Sequence, residues 1–223
     1  NLLMKFIGQH IFNLISRFRS DVYLENLSET TQSHIVSVDA NGKLFKQDSA
    51  NIIQNYSLVS ASGTTTTSAT DGEAHAVVIP YDTEQLTSSS NSIVLTGASG
   101  ITGVSNSTYS WYSATQGDYE YQWNVLSNTN VANNRILSGV KLQRGTHNGS
   151  TMTWSDYNPS VSFIYDRGNG NIRKGSTTNQ TLVEQGATQY YWRLVVWKEE
   201  SSDASTTAIT VVTGVSLIVK QIS

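Results

Sequence analysis

The residues Tyr190-Tyr-Trp-Arg-Leu-Val-Val-Trp197 are the stretch that decides the fold. Aromatic and β-branched side chains favour a pleated strand. A strand with one face in water carries a polar residue at every second position, but this stretch has large apolar side chains at both odd and even positions, so both faces are expected to be buried. One face is expected to pack inside a β-sandwich. The other needs a second layer, which an identical neighbouring chain would supply, so the predicted oligomer interface includes Tyr190, Trp192, Leu194 and Val196.

Composition is typical of a β-rich surface protein. Charged residues make up 14% of the 223 residues, against about 25% in an average protein. Ser, Thr, Asn and Gly fill the difference, as in extracellular-facing β proteins and virion surface proteins. The net charge of −3 argues against a nucleic-acid partner, and no apolar run is long enough for membrane insertion. The absence of Cys excludes disulfides and favours folding in a reducing cytosol with stabilisation by oligomerisation.

A period-two pattern runs through the N-terminal region over thirteen residues. A strand of that length has nothing within its own segment to pack on, and an isolated hairpin is marginal in water. It is either a strand of the main sandwich or a fibrous stalk in which three chains bury one face on a common axis. We favour the stalk, whose buried face and candidate trimer interface would contain Phe12, Leu14, Phe18, Val22 and Leu24.

A hairpin signal follows, because Asn41-Gly42 separates the apolar runs 35–38 and 43–45. Asn and Gly tolerate the positive φ that tight hairpin turns require. A small hairpin between a long strand and a linker fits a shaft module better than a compact domain. The predicted organisation is therefore a stalk over residues 1–55 and a head over residues 56–223.

Short candidate strands separated by Gly, Asn, Ser and Thr clusters fill the predicted head. In one of them Tyr119, Tyr121, Trp123 and Val125 alternate with polar residues, which gives a strand with one core face. This succession predicts an all-β class, a sandwich or jelly roll. The predicted strands span residues 74–80, 92–96, 109–113, 119–126, 135–143, 161–165, 180–183, 189–198 and 208–222.

Several motifs follow one another along residues 70–223: residues 76–84, 102–104, 117–125, 135–145, Gly186 with 190–198, and 216–222. Their order and spacing resemble the globular heads related to complement and tumour-necrosis-factor proteins. In those heads a Gly-x-Tyr strand, an apolar-x-apolar-x-x-Gly strand and an apolar final strand build a ten-stranded jelly roll. The resemblance implies a jelly-roll head that assembles as a homotrimer.

The Arg167-Gly-Asn-Gly-Asn171 loop and the Ser/Thr-rich style resemble the versions of this head in tailed-bacteriophage fibres, and residues 16–25 and 38–44 resemble fibre shaft segments. The chain departs from the animal heads in lacking Cys and a collagen-like stem. The resemblance implies a virion fibre protein, such as a tail fibre, assembled in the host cytoplasm. Its N-terminal segment would attach to other virion proteins, and its head to a host cell-surface glycan or protein. Alternatives are a capsid decoration or neck fibre protein, and a carbohydrate-binding module or glycan depolymerase.

The sequence supports neither an enzyme nor a cofactor. No Gly-x-Ser-x-Gly elbow marks a nucleophile, and His10, His34, His75 and His147 stand in no metal-binding spacing. A calcium site of oxygen ligands and a pair of glycan-hydrolysing carboxylates are two weaker alternatives that match no known spacing. The calcium alternative would use Asp71, Glu73, Asp82 and Glu84, and Asp118 and Glu120 are further acidic candidates.

Aromatic residues near polar loops are the better functional clue. Trp154 and Tyr157 accompany the loop 145–155, and Trp111 and Tyr112 lie in the segment 106–115. Sugar-binding surfaces combine flat rings with amides and hydroxyls, because the C–H face of a sugar stacks while its hydroxyls form hydrogen bonds. These four residues are the candidate receptor- or glycan-binding set. The alternative is that their rings close the ends of the sandwich.

Overall fold

The computed structural model describes residues 34–38, 44–48, 56–87, 93–113, 115–130, 135–167, 174–201 and 209–222. The chain divides into two compact units, Asn1–Ile52 and Ile53–Ser223. The described residues of the first unit form an antiparallel hairpin of β1 (His34–Val38) and β2 (Leu44–Asp48), which confirms the predicted hairpin. The predicted stalk face lies outside the described residues: Phe12, Leu14, Phe18, Val22 and Leu24.

The second unit is a sandwich of two antiparallel sheets. Its strands are β3 (Tyr56–Ala61), β4 (Thr65–Thr66), β5 (Val77–Val78), β6 (Tyr81–Thr87), β7 (Ile93–Leu95), β8 (Trp111–Ser113), β9 (Gly117–Thr129), β10 (Arg135–His147), β11 (Met152–Asp156), β12 (Ser162–Arg167), β13 (Lys174–Gln185), β14 (Tyr191–Ser201) and β15 (Thr210–Gln221). Sheet 1 has the order β13-β9-β15-β3-β6, with β4 beside β15. Sheet 2 has the order β11-β10-β14-β8-β7, with β12 beside β10 and β5 beside β14.

Strand order identifies the sandwich as a jelly roll. The chain repeatedly crosses between the sheets, since β8, β10, β12 and β14 belong to sheet 2 while β9, β13 and β15 belong to sheet 1. Neighbours within a sheet are therefore mostly distant in sequence, as in a jelly roll. The predicted all-β jelly-roll class is confirmed. The described residues also form short 3-10 turns at Glu73–His75 and Asn158–Ser160, and none of them forms a helix that could cross a membrane.

The core lies between the inner faces of the two sheets. Along β9 every second residue is buried, which confirms the alternation predicted for that strand. Aromatic rings from the two sheets meet edge to face, with the centroids of Tyr121 and Trp192 5.5 Å apart. The inner residues of β9 and β14 in this core are Tyr119, Tyr121, Trp123, Val125, Trp192, Leu194 and Val196.

Trp192, Leu194 and Val196 do not form the predicted trimer interface. Each is at most 2% exposed and packs in the core of the single chain. Trp111 is also fully buried in that core, so it is not part of a glycan-binding surface. The physical reason is the same for all four residues: they occupy inward positions of sheet 2, which sheet 1 already covers.

The segment 71–78 of the same chain runs along β14, since β5 pairs with Val195 and Val196 as a neighbouring strand of sheet 2. Asp71 pairs with Lys198 at 2.7 Å between Oδ1 and Nζ, and Glu73 pairs with Lys141. Both lysine side chains are 2% exposed. Lys141 also contacts Asp156, with Nζ and Oδ2 2.6 Å apart. These ion pairs hold the turn that begins at residue 73 against sheet 2.

The Trp197 ring packs on the outward face of sheet 2. Its ring lies so close to Gly139 that a Cβ atom there would come within 2.1 Å of the ring. Phe163 meets the same ring edge to face at 6.4 Å, and Val195 and Trp197 are 1% and 2% exposed. The pattern of the stretch 190–197 therefore correctly predicts two covered faces, but a neighbouring copy is not needed to cover them.

Candidate ligand-binding pocket

Strands β10 and β14 carry polar and aromatic residues on both faces at one end of sheet 2. In their register Gln143 lies opposite Arg193, and Arg144 lies opposite Trp192. Successive strand residues point to opposite faces. Arg193 therefore belongs to the outward face, while Arg144 belongs to the inward face at the open end of the sandwich. The two faces form two different surfaces, an outer cluster and a pocket.

The outer cluster consists of Arg193, Trp154, Tyr191, Tyr112 and His147. The guanidinium carbon of Arg193 lies 4.2 Å from the Trp154 ring centroid. Tyr191 packs against Tyr112 and His147, with centroid distances of 5.2 and 5.3 Å. Tyr112 on β8 and Trp154 on β11 both pack against the buried cluster that contains Tyr191. The structure thus brings these two predicted residues together.

Hydrogen bonds hold Arg193 and Trp154 of the outer cluster. Arg193 donates from Nε to Gln143 Oε1 at 2.8 Å and from Nη1 to Asn106 Oδ1 at 3.1 Å. Trp154 Nε1 donates to the carbonyl oxygen of Asn106 at 2.8 Å. Burial lowers the pKa of Arg193 to about 10, against the opposing effect of Asp156, so it stays protonated at neutral pH. This cluster has the character of a structural element whose interactions are already made.

The pocket lies on the inward side of the same strand ends and has a volume of about 440 Å³. Its wall is formed by β10, β13 and β14, by the loop that joins β13 to β14, and by the residue after β11. The lining residues are Arg144, Tyr157, Val183, Glu184, Gly186, Ala187, Thr188, Tyr190 and Trp192.

Arg144 and Glu184 are the charged residues among the described lining. The guanidinium carbon of Arg144 lies 4.6 Å from the ring centroid of Tyr190. Within the described part of the chain, neither Arg144 nor Glu184 has a side-chain hydrogen bond or an ion pair, and the Tyr190 hydroxyl is likewise unbonded. Glu184 lies between the buried residues Val183 and Gln185, so its side chain belongs to the solvent face of sheet 1. The pocket therefore offers a cation and a hydroxyl that no other described residue uses.

Trp192 joins the pocket to the core. Its ring is 2% exposed and meets Tyr157 edge to face at 5.4 Å, and Tyr157 in turn donates its hydroxyl to the carbonyl oxygen of Leu182 at 3.0 Å. The buried indole nitrogen of Trp192 has no hydrogen-bond partner. The same holds for Trp111 and Trp123, but neither of those lines the pocket. An unpaired buried donor costs about 1–3 kcal/mol, which a bound polar group in contact with it would offset.

The loop wall of the pocket is held in place by Gln185, which is 4% exposed. Its Nε2 donates to the carbonyl oxygens of Thr188 at 2.7 Å and Gly186 at 3.2 Å. A buried amide thus fixes the backbone of the loop that faces Arg144. The pocket is largely preformed, so a ligand does not have to order this wall on binding.

The structure sorts the predicted glycan-binding residues into three environments. Tyr157 lines the pocket, Trp154 and Tyr112 belong to the outer cluster, and Trp111 is core. Tyr190, predicted as an interface residue, is half-buried in the pocket wall.

Arg144 and Glu184 were not anticipated. A signal for Arg144 does exist in the sequence, because it continues the inward positions of the buried residues Val140 and Leu142 and places a charge where a core residue is expected.

Three of the four carboxylates proposed as a calcium site, Asp71, Glu73 and Asp82, have other partners. Asp71 and Glu73 are paired with buried lysines, and Asp82 accepts hydrogen bonds from the backbone N and Oγ of Ser62 at 2.9 and 2.6 Å. No group of three or more His, Cys, Asp or Glu residues that could hold a metal ion occurs in the described ranges. Within those ranges, these four carboxylates are therefore not gathered into one site.

No protein-family model matches the sequence, and no curated protein matches it. Solved structures that are similar include murine APRIL at pH 5.0, with 8% identity, a TM-score of 0.43 and coverage of 76% of this chain and 100% of that chain. Murine APRIL at pH 8.5 matches with 10% identity, a TM-score of 0.42 and the same coverage. Eiger TNF from S. frugiperda matches with 9% identity, a TM-score of 0.41 and coverage of 77% of this chain and 92% of that chain.

Proposed function

We propose that this protein is a non-enzymatic, homotrimeric fibre protein of a bacteriophage virion whose head binds a glycan on the host surface. The observation that carries the binding role is the preformed pocket, whose aromatic wall includes Tyr157, Tyr190 and Trp192 beside unused polar groups. Rings that stack on sugar C–H faces and a few polar groups that fix hydroxyls are what saccharide recognition requires. A protein receptor is the alternative.

The chemistry of the pocket supports binding rather than hydrolysis. Glycosidases use two carboxyl groups that flank the scissile bond, about 5–10 Å apart. Glu184 is the single carboxylate among the described lining residues. Glu120, one of the candidates for such a pair, contacts Lys220 at 3.4 Å on sheet 1 and does not line the pocket. The expectation is therefore a protein that holds its glycan without cleaving it.

Exposed apolar residues support assembly of several copies. Sheet 1 leaves Leu86, Leu126 and Leu182 exposed by 54%, 43% and 64%, and β12 leaves Phe163 and Tyr165 exposed by 51% and 54%. Exposed apolar side chains on two surfaces of a chain can be buried by a neighbouring copy. Two different surfaces suit a heterologous contact, in which β12 of one copy packs on sheet 1 of the next and the ring closes. We place the trimer contact on these residues rather than on the core of β14.

The virion role rests on the resemblance of the head motifs and of residues 16–25 and 38–44 to phage fibre proteins. In this proposal residues 1–55 form the stalk that attaches the head to other virion proteins, in particles assembled in the host cytoplasm. Three identical pockets on one head then act together, so that avidity exceeds the affinity of a single site by orders of magnitude. Antibody to the head should label the tail of the virion, whereas label at the capsid or neck would indicate a decoration or neck fibre.

Light scattering at low concentration tests the assembly. We expect three chains per particle for the wild type and a smaller particle for Phe163→Glu, because that change places a charge in the proposed contact. Thr146→Glu is the matched control, since Thr146 is exposed on β10 outside both proposed contact surfaces. A wild-type monomer, or equal dissociation of both variants, contradicts the proposed trimer.

Binding to treated host cells tests the ligand class. Mild periodate, which cleaves vicinal diols of sugars, should abolish binding of the full chain, and protease treatment of the cells should not. Tyr190→Ala should weaken binding by removing a ring from the pocket wall. Loss of binding after protease alone would identify a protein receptor and overturn the glycan assignment.

A further inference from the structure

We infer that the pocket takes an acidic saccharide, in which a ring carboxylate meets Arg144 while the sugar ring and its hydroxyls meet the tyrosines. This inference rests on the proposed glycan-binding function and specifies its ligand class. It is carried by the contrast between Arg144 and the other cations of the same two strands.

Three other cations of β10 and β14 have oxygen partners in the described ranges. Lys141 contacts Glu73 and Asp156, and Lys198 contacts Asp71. The oxygen partners of Arg193 are the side-chain amides of Gln143 and Asn106.

Arg144 is exposed and has no oxygen partner within the described ranges. Among the described residues, its guanidinium lies over the Tyr190 ring. A cation left unpaired inside a pocket, in a region where neighbouring cations are paired, points to an anion supplied by a ligand.

The ring beneath Arg144 also orients it. A guanidinium held against an aromatic face retains five N–H donors in a planar fork that matches a carboxylate in a bidentate geometry. The Tyr190 ring lies 4.6 Å from the guanidinium carbon and restricts that fork before the ligand arrives. Less side-chain entropy is then lost on binding than for a freely moving side chain.

The rings of the pocket narrow the class of ligand. Tyr157 and Tyr190 line the pocket and provide apolar faces for a sugar ring. The hydroxyl of Tyr190 can donate a hydrogen bond to a sugar hydroxyl or accept one from it. A carboxylate-bearing sugar fits the combination of these rings with the guanidinium of Arg144.

Calorimetric titration of the assembled full chain with an oligogalacturonate and with its carboxyl-reduced, neutral counterpart tests the inference. We expect the acidic form to bind about tenfold or more tightly than the neutral one, as a charge-assisted bidentate contact allows. Arg144→Gln should remove this preference while weak binding of the neutral form persists. Arg167→Gln is the matched control, since Arg167 is exposed on β12 and does not line the pocket, and it should keep the preference.

Each of the other outcomes of the titration contradicts a specific part of the proposal. Equal wild-type affinity for both oligosaccharides refutes the acidic class but leaves glycan binding in place. A preference lost equally in Arg144→Gln and Arg167→Gln indicates general electrostatic attraction and refutes the role of Arg144. Inorganic phosphate that displaces the acid at equal concentration identifies a phosphate site instead. Binding of neither form, in a wild type that also fails to bind untreated host cells, refutes the proposed function itself.

Discussion

Arg193 and Arg144 lie on neighbouring strands at the same end of sheet 2, but they have opposite surroundings. Arg193 is surrounded by the Trp154 ring and two side-chain amides that accept its hydrogen bonds. Arg144 has one ring beside it and an open pocket in front of it. The difference shows that a position near a loop is not enough to identify a polar residue that is available to a ligand. The distinguishing property is whether other residues of the chain already accept its hydrogen bonds.

The largest expected effect concerns how closely the outward face is packed. Gly139→Ala would place a methyl group within 2.1 Å of the Trp197 ring, and we expect a loss of about 3 kcal/mol in the free energy of unfolding. Urea denaturation measures it. Gly63→Ala is the control, because nothing lies within 4 Å of its Cβ position, and it should change stability by less than about 0.5 kcal/mol. Equally small losses for Gly139→Ala and Gly63→Ala would show that the outward face is not tightly packed at Gly139.

The comparison of the two arginines is tested directly by the same substitution at each. Arg193→Gln should cost about 1–3 kcal/mol, because it leaves partly buried acceptors without their donor. Arg144→Gln should cost less than about 0.5 kcal/mol, since it removes an exposed group with no oxygen partner in the described chain. Thermal or urea unfolding of both variants gives the result. A larger loss for Arg144→Gln would reverse the assignment of the two surfaces.

The smallest effect concerns a buried carboxyl distant from both arginines. Asp166 is fully buried, and Ser127 Oγ donates to it at 2.7 and 2.9 Å. Burial raises the pKa of Asp166 above its ordinary value, although the Ser127 hydrogen bond acts in the opposite direction. The stabilisation from the neutral form is then complete below the unfolded-state pKa and is lost as pH rises through the folded-state pKa.

Asp166→Asn should therefore gain stability, relative to wild type, as pH rises from 4 to 7, by about 1 kcal/mol or less. Urea denaturation across that pH range measures the gain. Asp82→Asn should show the opposite trend, because hydrogen bonds from Ser62 and Thr83 outweigh burial and lower the pKa of Asp82. The stabilisation from Asp82 is present above its unfolded-state pKa and is lost as pH falls through the folded-state pKa. Parallel pH profiles for the two variants would contradict this contrast.

Local patterns were sufficient to predict the fold class. The alternation along β9 is a period-two signal that any strand with one core face produces, and the Asn41-Gly42 turn predicts the β1–β2 hairpin from four residues of context. The error on β14 has a different origin. Its second face is buried within the chain by residues distant in sequence, such as Phe163 on Trp197, and the Glu73–Lys141 pair on that side joins residues 68 positions apart. A window of sequence that shows a strand in need of cover does not show which distant segment covers it.

The candidate site was predictable only in part. Tyr157 and Trp111 give the same signal, an aromatic ring beside polar residues, but Tyr157 lines a pocket and Trp111 faces the core. Arg144 was missed because an arginine in a strand is usually solvated, and its lack of a partner depends on the positions of all neighbouring carboxylates. The lack of a partner for a charged side chain is a property of the assembled fold rather than of any one segment.

Trp192 has a consequence for how related heads could diverge. The indole stands between the interior and the pocket, so it cannot change without disturbing the packing on Tyr121. Arg144, Glu184 and the backbone at 186–188 carry no comparable constraint. Under the proposed function, substitutions at that rim would change the ligand that the head accepts while the architecture beneath stays constant.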